Sequence, residues 1–184
     1  MESQDTKHKI IKETVPSEII SIVGDILAGI VLSLLIVPFK SFLILILIVP
    51  ALLSLRGNIS GPYIARTSRD LIIGEFNRKS LIENILATYV LSIVTAIIIG
   101  IFSIILNFFL IKIHIVSNLM LIEIPIISIL ITLSVSIPCS TGLNHLAFKY
   151  GLNPNNVVNP IMTAVDDFFT VISFYISIII LGVP

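Results

Sequence analysis

The sequence predicts an all-α fold of the polytopic membrane class, with five transmembrane helices. Apolar residues make up 56% of the 184 residues, charged residues make up 12%, and the mean hydropathy is +1.10. A soluble domain carries about 25% charged residues, so this chain has too few charges to cover a water-exposed surface. The apolar residues are also gathered into five long stretches, and a spanning helix needs about 20 such residues.

The N-terminal segment differs from the rest of the chain. Residues 1–17 mix both signs of charge and lack the apolar core of a secretory signal. We interpret them as a polar cytoplasmic tail, disordered or interfacial, that precedes a five-helix transmembrane domain over residues 18–184.

The first two apolar stretches are unequal in length. The first runs from about Ile19 to Phe39 and is interrupted only by Asp25. The second runs from Ser41 to Leu55, which is short for a spanning helix, so it can continue as a helix past Arg56. We predict that the charged segment from Arg56 to Lys79 forms the main cytoplasmic loop.

The remaining three stretches are long. The third, Ile85 to Ile111, contains 27 uncharged residues. The fourth runs from about Ile115 to Phe148, and its length allows a tilt, a kink at Pro125 or Pro138, or a break. The fifth covers Val157 to Pro184.

Lysine and arginine positions predict the orientation, because cytoplasmic loops of membrane proteins are enriched in both. With the N-terminus cytoplasmic, nine of the 11 basic residues lie inside. Five spans then place the C-terminus outside. The outer residues are Lys40 and Lys112, and the inner ones are Lys7, Lys9, Lys12, Arg56, Arg66, Arg69, Arg78, Lys79 and Lys149.

Several classes of function are excluded. The formal net charge is zero, so no basic excess indicates nucleic acid. A single cysteine, Cys139, makes neither an intrachain disulfide nor a structural zinc site, and we interpret it as a small buried apolar residue. The chain has no P-loop and no nucleophile motif, so we predict no enzyme activity and no cofactor.

The fifth stretch contains the strongest candidate site. Asn159, Thr163 and Asp167 are spaced by four and share one helical face, which Asp166 widens. All four side chains present oxygen, the ligand that Mg2+ and Ca2+ prefer. An ionisable group at the bilayer centre costs at least about 2.5–3.5 kcal/mol, so its presence there indicates a functional or structural role. The role that we favour is to line a cation path. The alternatives are a proton path and a structural role near a helix N-terminus.

The other intramembrane ionisable groups are weaker signals. Asp25 can line a path or bond to a neighbouring helix. Glu123, near the outer end of the fourth stretch, has the position of an interfacial residue. His145, near the inner end, fits a solvated or packed histidine better than a metal ligand.

Two segments of the sequence contain recognisable patterns. Residues 49–76 contain Pro, then Gly-Asn, then Arg and Gly-Glu, and residues 151–169 lead into the last span. The residues that form these patterns are Pro50, Gly57, Asn58, Arg69, Gly74 and Glu75 in the first segment, and Gly151, Pro154, Pro160, Thr163 and Asp167 in the second. Together the two segments resemble the membrane domain of the MgtE-type magnesium transporters and their animal solute-carrier relatives.

The resemblance implies a divalent cation transporter with Mg2+ as the first candidate. It implies that Asp167 is the central ion-binding carboxylate. It also implies that Thr163 and Asn159 lie one and two turns before it, towards the cytoplasm. It also implies that Asn58 lines the path, although an asparagine near a helix end can simply be a cap. Asp166 stands where the bacterial members usually have an uncharged residue. Glu83 is similar to a glutamate at the start of the family's third span.

We therefore expect divalent cation transport along a path between the second and fifth helices, at the axis of a homodimer in the cell membrane. The metal residues we expect are Asp167, Asp166, Asn159, Thr163 and Asn58. One alternative is an exchanger coupled to H+ or Na+. The others are an intramembrane aspartyl-type hydrolase, which would use Asp25 and Asp167, and a membrane subunit that does not transport.

Overall fold

The structure is a computed structural model that describes residues 6–36, 42–112 and 115–183. Over these ranges the chain forms helices and no β-strand. Each of the five helices is long and apolar enough to cross a membrane, which confirms the five predicted spans. The helices are α1 (Lys7–Ile36), α2 (Phe42–Ile73), α3 (Arg78–Leu106), α4 (Asn118–Lys149) and α5 (Pro154–Ile180), and a π-helical turn, Asn107–Ile111, extends α3.

Some predicted limits cannot be compared with the structure. The predicted end of the first span, the predicted start of the second, the predicted end of the fifth, one outer lysine and the beginning of the tail lie outside the described residues. These are Phe39, Ser41, Pro184, Lys40 and residues 1–5.

The N-terminal tail is more ordered than the sequence suggested. Helix α1 begins at Lys7, so of the two expected states, disordered or interfacial, the disordered one is wrong for residues 7–17. The physical reason is a buried polar anchor. A carboxylate oxygen of Glu13 accepts hydrogen bonds from the Asn153 backbone N–H at 3.3 Å and from Asn156 Nδ2 at 3.0 Å. These bonds fix the first turns of α1 against the connection between α4 and α5.

The predicted cytoplasmic loop is mostly helix. Helix α2 continues past Arg56 to Ile73, which confirms the helical continuation that its short apolar stretch suggested. Only residues 74–77 form a turn, so the loop prediction for Arg56 to Lys79 is wrong. The polar part of α2 packs on α4 through side-chain hydrogen bonds. Tyr63 Oη lies 2.6 Å from Thr141 Oγ1, and Asn144 Nδ2 donates to the Ile64 carbonyl at 3.1 Å. Polar residues that satisfy one another in this way do not need to leave the helix.

The central layer of the bundle is formed by α2, α4 and α5. Their apolar side chains make one core, which includes Ile48, Leu52, Leu133, Phe174 and Ile178. Helix α4 runs unbroken through both Pro125 and Pro138. Helices α1 and α3 lie outside this layer and expose most of their apolar side chains, as expected for surfaces that face lipid. Cys139 of α4 is also exposed, so its interpretation as a buried residue is wrong.

Small residues bring α1 close to α5. Ser17, Ser21 and Ala28 of α1 are buried, and a Cβ added to Gly24 would overlap the Cβ of Ala164. Small residues at such spacing allow two membrane helices to approach closely. The two helices run in the same direction. Hydrogen bonds from the start of α1 to residues 151–156 join residues that differ in number by 139 to 143, and the close approach of Gly24 to Ala164 deeper in the bundle continues this difference at 140. This constant register fixes which side chains of α1 and α5 share the same depth.

Candidate functional site

A polar cleft of about 530 Å³ lies between α1, α2 and α5. Helix α1 contributes Thr14, Glu18, Ser21 and Asp25, α2 contributes Gly57 and Gly61, and α5 contributes Asn155, Asn156, Asn159, Pro160 and Thr163. Two carboxylates, those of Glu18 and Asp25, line the cleft. The cleft therefore has the charge and the oxygen ligands of a cation site.

Helix α1 presents one polar stripe to this cleft. Thr14, Glu18, Ser21 and Asp25 follow one another at intervals of four, three and four residues, which places them on one helical face. Oδ1 of Asp25 is buried and has no hydrogen-bond partner. A carboxylate oxygen without a partner inside a membrane-spanning helix is costly unless a ligand or water reaches it. This observation favours a path-lining role for Asp25 over a bond to a neighbouring helix.

Helix α5 supplies the opposite wall. Asn159 and Thr163 lie one turn apart in the cleft, as their spacing predicted, and Thr163 Oγ1 donates to the Asn159 carbonyl at 3.0 Å. The donated hydrogen fixes the hydroxyl and leaves its oxygen lone pairs available as an acceptor. Helix α5 begins at Pro154 behind the cap Asn153, so this wall starts immediately after the α4–α5 connection.

Helix α2 leaves the cleft open because it presents glycines to it. A Cβ at Gly61 would lie 3.6 Å from Oδ1 of Asn159, and one at Gly57 would have no neighbour within 4 Å. Any larger side chain at Gly61 would therefore extend into the space in front of Asn159. The segment that contains these glycines is held on α4 by the Tyr63 and Asn144 bonds described above.

The two aspartates of α5 lie beyond the cleft. Neither lines it: Asp166 is buried with 1% exposure, and Asp167 is half-buried one turn past Thr163. The constant register of α1 and α5 places Asp25 level with residues 164–168, and therefore at the depth of both aspartates. Asp166 is the thirteenth residue of its helix, so a capping role for this pair is excluded.

The other sequence candidates fall outside the cleft. Asn58 is exposed in the middle of α2, so it does not cap a helix end, and its neighbour Gly57 is the residue that lines the cleft. Glu83 is exposed and pairs with Lys79 at 3.9 Å. His145 is exposed with its ring 6.2 Å from the ring of Phe76, and Glu123 is half-buried near the start of α4.

Sequence reasoning missed Glu18 and Glu13. Glu18 adjoins the predicted boundary of the first span, where a charge needs no special explanation. The spacing of Thr14, Glu18, Ser21 and Asp25 was a signal that could have found it. Glu13 anchors α1 to α5, and no local pattern indicates a partner 140 residues away.

The described residues of one protomer do not supply a full set of protein ligands for a metal ion. Across residues 6–36, 42–112 and 115–183, no three His, Cys, Asp or Glu side chains are grouped so that they could hold one ion. A cation in the cleft would keep much of its water. Mg2+ behaves in this way, because it loses water reluctantly and binds through one or two carboxylates.

Five apolar helices, three of which line an acidic, oxygen-rich cleft, are typical of a multi-pass membrane protein of the ion-transporting class. Comparison with known families makes this specific. The family model described as "MgtE: Divalent cation transporter" matches residues 49–177, which is more than half of the chain. The chain belongs to this family and is a divalent cation transporter.

This match confirms the resemblance seen in the sequence and supports Mg2+ as a transported ion. A transporter family is also consistent with the prediction that the chain is not an enzyme. No curated protein and no solved structure matches the chain. The matched range begins in α2, so α1, with Glu18 and Asp25, lies outside it.

Proposed function

We propose that divalent cations, Mg2+ first among them, cross the membrane through the acidic cleft between α1, α2 and α5, with Asp167 as the central binding carboxylate. The observation that carries this proposal is the continuity of one polar face. Asn159 and Thr163 line the cleft, and Asp167 continues their spacing one turn further along α5.

The size of the cleft suits a hydrated ion. Mg2+ prefers six oxygen ligands in octahedral geometry and keeps several of them as water. Six waters at roughly 30 Å³ each occupy about 180 Å³. The cleft volume of about 530 Å³ accommodates this shell and leaves room for exchange with bulk water. The amide of Asn159 and the hydroxyl of Thr163 bind the water shell, so the bare ion does not need a protein cage.

The carboxylates act in sequence along the path. Glu18 and Asp25 in α1 concentrate cations in the cleft through their negative charge. Asp167 binds the ion at the deepest point, and the neighbouring Asp166 strengthens the negative field there. Two adjacent aspartates ionise together more readily when a divalent cation lies beside them.

A second copy of the chain completes the path. In one protomer the cleft is open on one side, and Asn58 is exposed on the same helix as Gly57 and Gly61. A symmetric homodimer would close the cleft and bring Asp167 from both protomers to the two-fold axis. Asn58 would then face the ion's water shell.

The distribution of lysine and arginine supports a cytoplasmic mouth for the cleft, with the N-terminus inside and the C-terminus outside. A membrane potential that is negative inside would drive cation uptake along this path. A divalent ion gains about 4.6 kcal/mol per 100 mV, twice the value for a single charge.

The experiment is Mg2+ flux into proteoliposomes that contain the purified protein, with Asp167→Asn and Asp166→Asn beside the wild type. We expect saturable Mg2+ uptake that Asp167→Asn abolishes and Asp166→Asn only weakens. Loss in Asp166→Asn alone would mean that the neighbouring carboxylate is the central ligand.

The same vesicles separate the alternative functions. Flux that requires an H+ or Na+ gradient would identify an exchanger. Unchanged flux in Asp167→Asn would exclude Asp167 as the central ion-binding carboxylate. Absence of any divalent flux from folded dimeric protein would favour the non-transporting subunit, or, if a substrate were cleaved, the hydrolase.

A further inference from the structure

A second groove follows the same pair of helices, on the side away from the cleft. Two adjoining hollows of about 630 and 400 Å³ lie along the contact of α1 and α5. A third of about 160 Å³ lies between α4 and α5, and Ile161 borders all three. Ile20 of α1 links the largest hollow to the 400 Å³ one. Apart from its mouth, this groove is lined almost entirely by apolar side chains, including Val23, Leu27 and Phe168.

The groove and the cleft are separated by a shift of two residues on both helices. On α1 the groove stripe is Pro16, Ile20, Val23 and Leu27, each two positions after a member of the cleft stripe. On α5, Val157, Ile161 and Val165 follow Asn155, Asn159 and Thr163 in the same way. Two residues correspond to about 200° around a helix, so the two surfaces face nearly opposite directions.

Basic residues surround one end of the groove. His8, Lys9 and Lys12 border the largest hollow, and the spacing of His8, Lys12 and Pro16 continues the apolar stripe toward the start of α1. Lys9 is engaged by the Gly151 carbonyl at 3.2 Å and by Glu13 at 3.7 Å. Among the described residues, Glu13 is the one carboxylate that borders this hollow, and it is buried and bonded to the α4–α5 connection and the start of α5. Lys12 therefore supplies exposed positive charge at the mouth, and the exposed imidazole of His8 adds a hydrogen-bond donor beside it.

The length of the groove matches one leaflet of a bilayer. From Val157 to Phe169 the groove follows α5 over twelve residue steps, about 18 Å. Half of a hydrocarbon core of about 30 Å is about 15 Å. We propose that this groove binds an anionic phospholipid, with its phosphate at Lys12 and His8 and one acyl chain along Ile20, Ile161 and Leu27.

Charge and position together select a lipid as the occupant. Basic pockets on the cytoplasmic side of membrane proteins bind anionic head groups, and long lysine side chains extend to the interface from apolar surroundings. In the dimer proposed above, on which this step rests, the second copy covers the cleft on the opposite side of α1 and α5. The groove then remains available to the bilayer. This inference concerns lipid contact and does not depend on which ion is transported.

The absence of tryptophan from the chain permits a direct test. A single reporter is introduced as Leu27→Trp, and its matched control is Ile26→Trp, one residue away at the same depth but outside the groove. Both positions are exposed in the protomer, at 51% and 59%. Each variant is reconstituted in phosphatidylcholine bilayers that contain an equal fraction of either brominated phosphatidylglycerol or brominated phosphatidylcholine. Bromine quenches tryptophan fluorescence on contact.

We expect the Leu27→Trp reporter to favour phosphatidylglycerol about fivefold, the effect of roughly one lysine near an anionic head group. The Ile26→Trp control should show no preference. Adding Lys12→Gln and His8→Gln should abolish the preference at Leu27→Trp, whereas adding Lys79→Gln, an exposed lysine on α3, should not.

Equal quenching by both lipids at Leu27→Trp would overturn the proposal, because the head group would not be recognised. Weak quenching by either lipid at Leu27→Trp, with strong quenching at Ile26→Trp, would also overturn it and would show that protein covers the groove. Neither result would bear on the cation path, since Mg2+ flux is not the readout.

Discussion

The two sides of the α1–α5 pair differ in chemistry although they share the same backbone. One side presents Glu18, Asp25 and Asn159 to an open cleft, and the other presents Ile20, Leu27 and Ile161 to an apolar groove. A shift of two residues separates the two surfaces on both helices. In a membrane helix, the depth of a residue and the overall composition of the helix therefore do not predict whether that residue contacts ions or lipid. The face on which a residue lies decides whether it meets water and ions or lipid.

The largest effect we predict is on the cleft side, at its deepest carboxylate. Asp167→Asn should reduce the rate of Mg2+ uptake by on the order of a hundredfold, because a charged contact to the ion is lost in a low-dielectric environment. Uptake is measured in proteoliposomes by a Mg2+-sensitive dye. The groove-side substitution Phe169→Leu, two residues further along α5, is the control and should leave uptake within about twofold. Similar losses of uptake in both variants would show that the cleft side and the groove side of α5 do not differ in their role in transport.

Closing the cleft should have the next largest effect. Gly61→Leu would fill the space in front of Asn159 and lower uptake roughly tenfold, since the side chain would displace the hydrated ion. Gly29→Leu is the matched control, because a Cβ at Gly29 has no neighbour within 4 Å. Unimpaired uptake in Gly61→Leu would mean that ions do not pass Asn159.

Removal of the α1 charges should have a smaller effect and a different signature. The double variant Glu18→Gln with Asp25→Asn should raise the Mg2+ concentration for half-maximal uptake about fivefold and change the maximal rate little, because these carboxylates attract ions into an open, hydrated cleft. The effect should diminish at high salt, which screens exposed charges. Glu83→Gln, an exposed carboxylate on α3, should change neither quantity. A fall in the maximal rate alone would mean that Glu18 and Asp25 act on the passage of the bound ion and not on its attraction into the cleft.

The smallest predicted effect on transport is indirect and acts through stability. Glu13→Ala removes the acceptor of the Asn153 and Asn156 hydrogen bonds, and buried donors left without partners cost about 1–3 kcal/mol. The free energy of unfolding in detergent should fall by this amount. Lys79→Gln breaks only an exposed pair and should change it by less than about 0.5 kcal/mol. Equal stability of both variants would mean that Glu13 does not anchor α1.

The sequence predicted the five spans well because their length and apolar content are local properties. It also predicted the shared face of Asn159 and Thr163, because helical periodicity needs only one segment. It could not predict that α1 forms the other wall of the cleft. That depends on how Gly24 fits against Ala164 and on the register set by Glu13, and both are contacts between distant parts of the chain. The loop expected after Arg56 failed for the same reason, since Tyr63 and Asn144 satisfy the polar turns of α2 against α4.

The most direct test of the account compares one residue from each side of α5 in the same experiment. Thr163→Cys and Val165→Cys are made in a Cys139→Ser background, which removes the single native cysteine. Proteoliposomes are treated with a membrane-impermeant, positively charged thiol reagent, and Mg2+ uptake is measured before and after. We predict that Thr163→Cys reacts, that Mg2+ slows its reaction, and that uptake is lost, whereas Val165→Cys neither reacts nor changes uptake. Reaction and loss of uptake at Val165→Cys, with Thr163→Cys unaffected, would contradict the assignment of the cleft as the cation path.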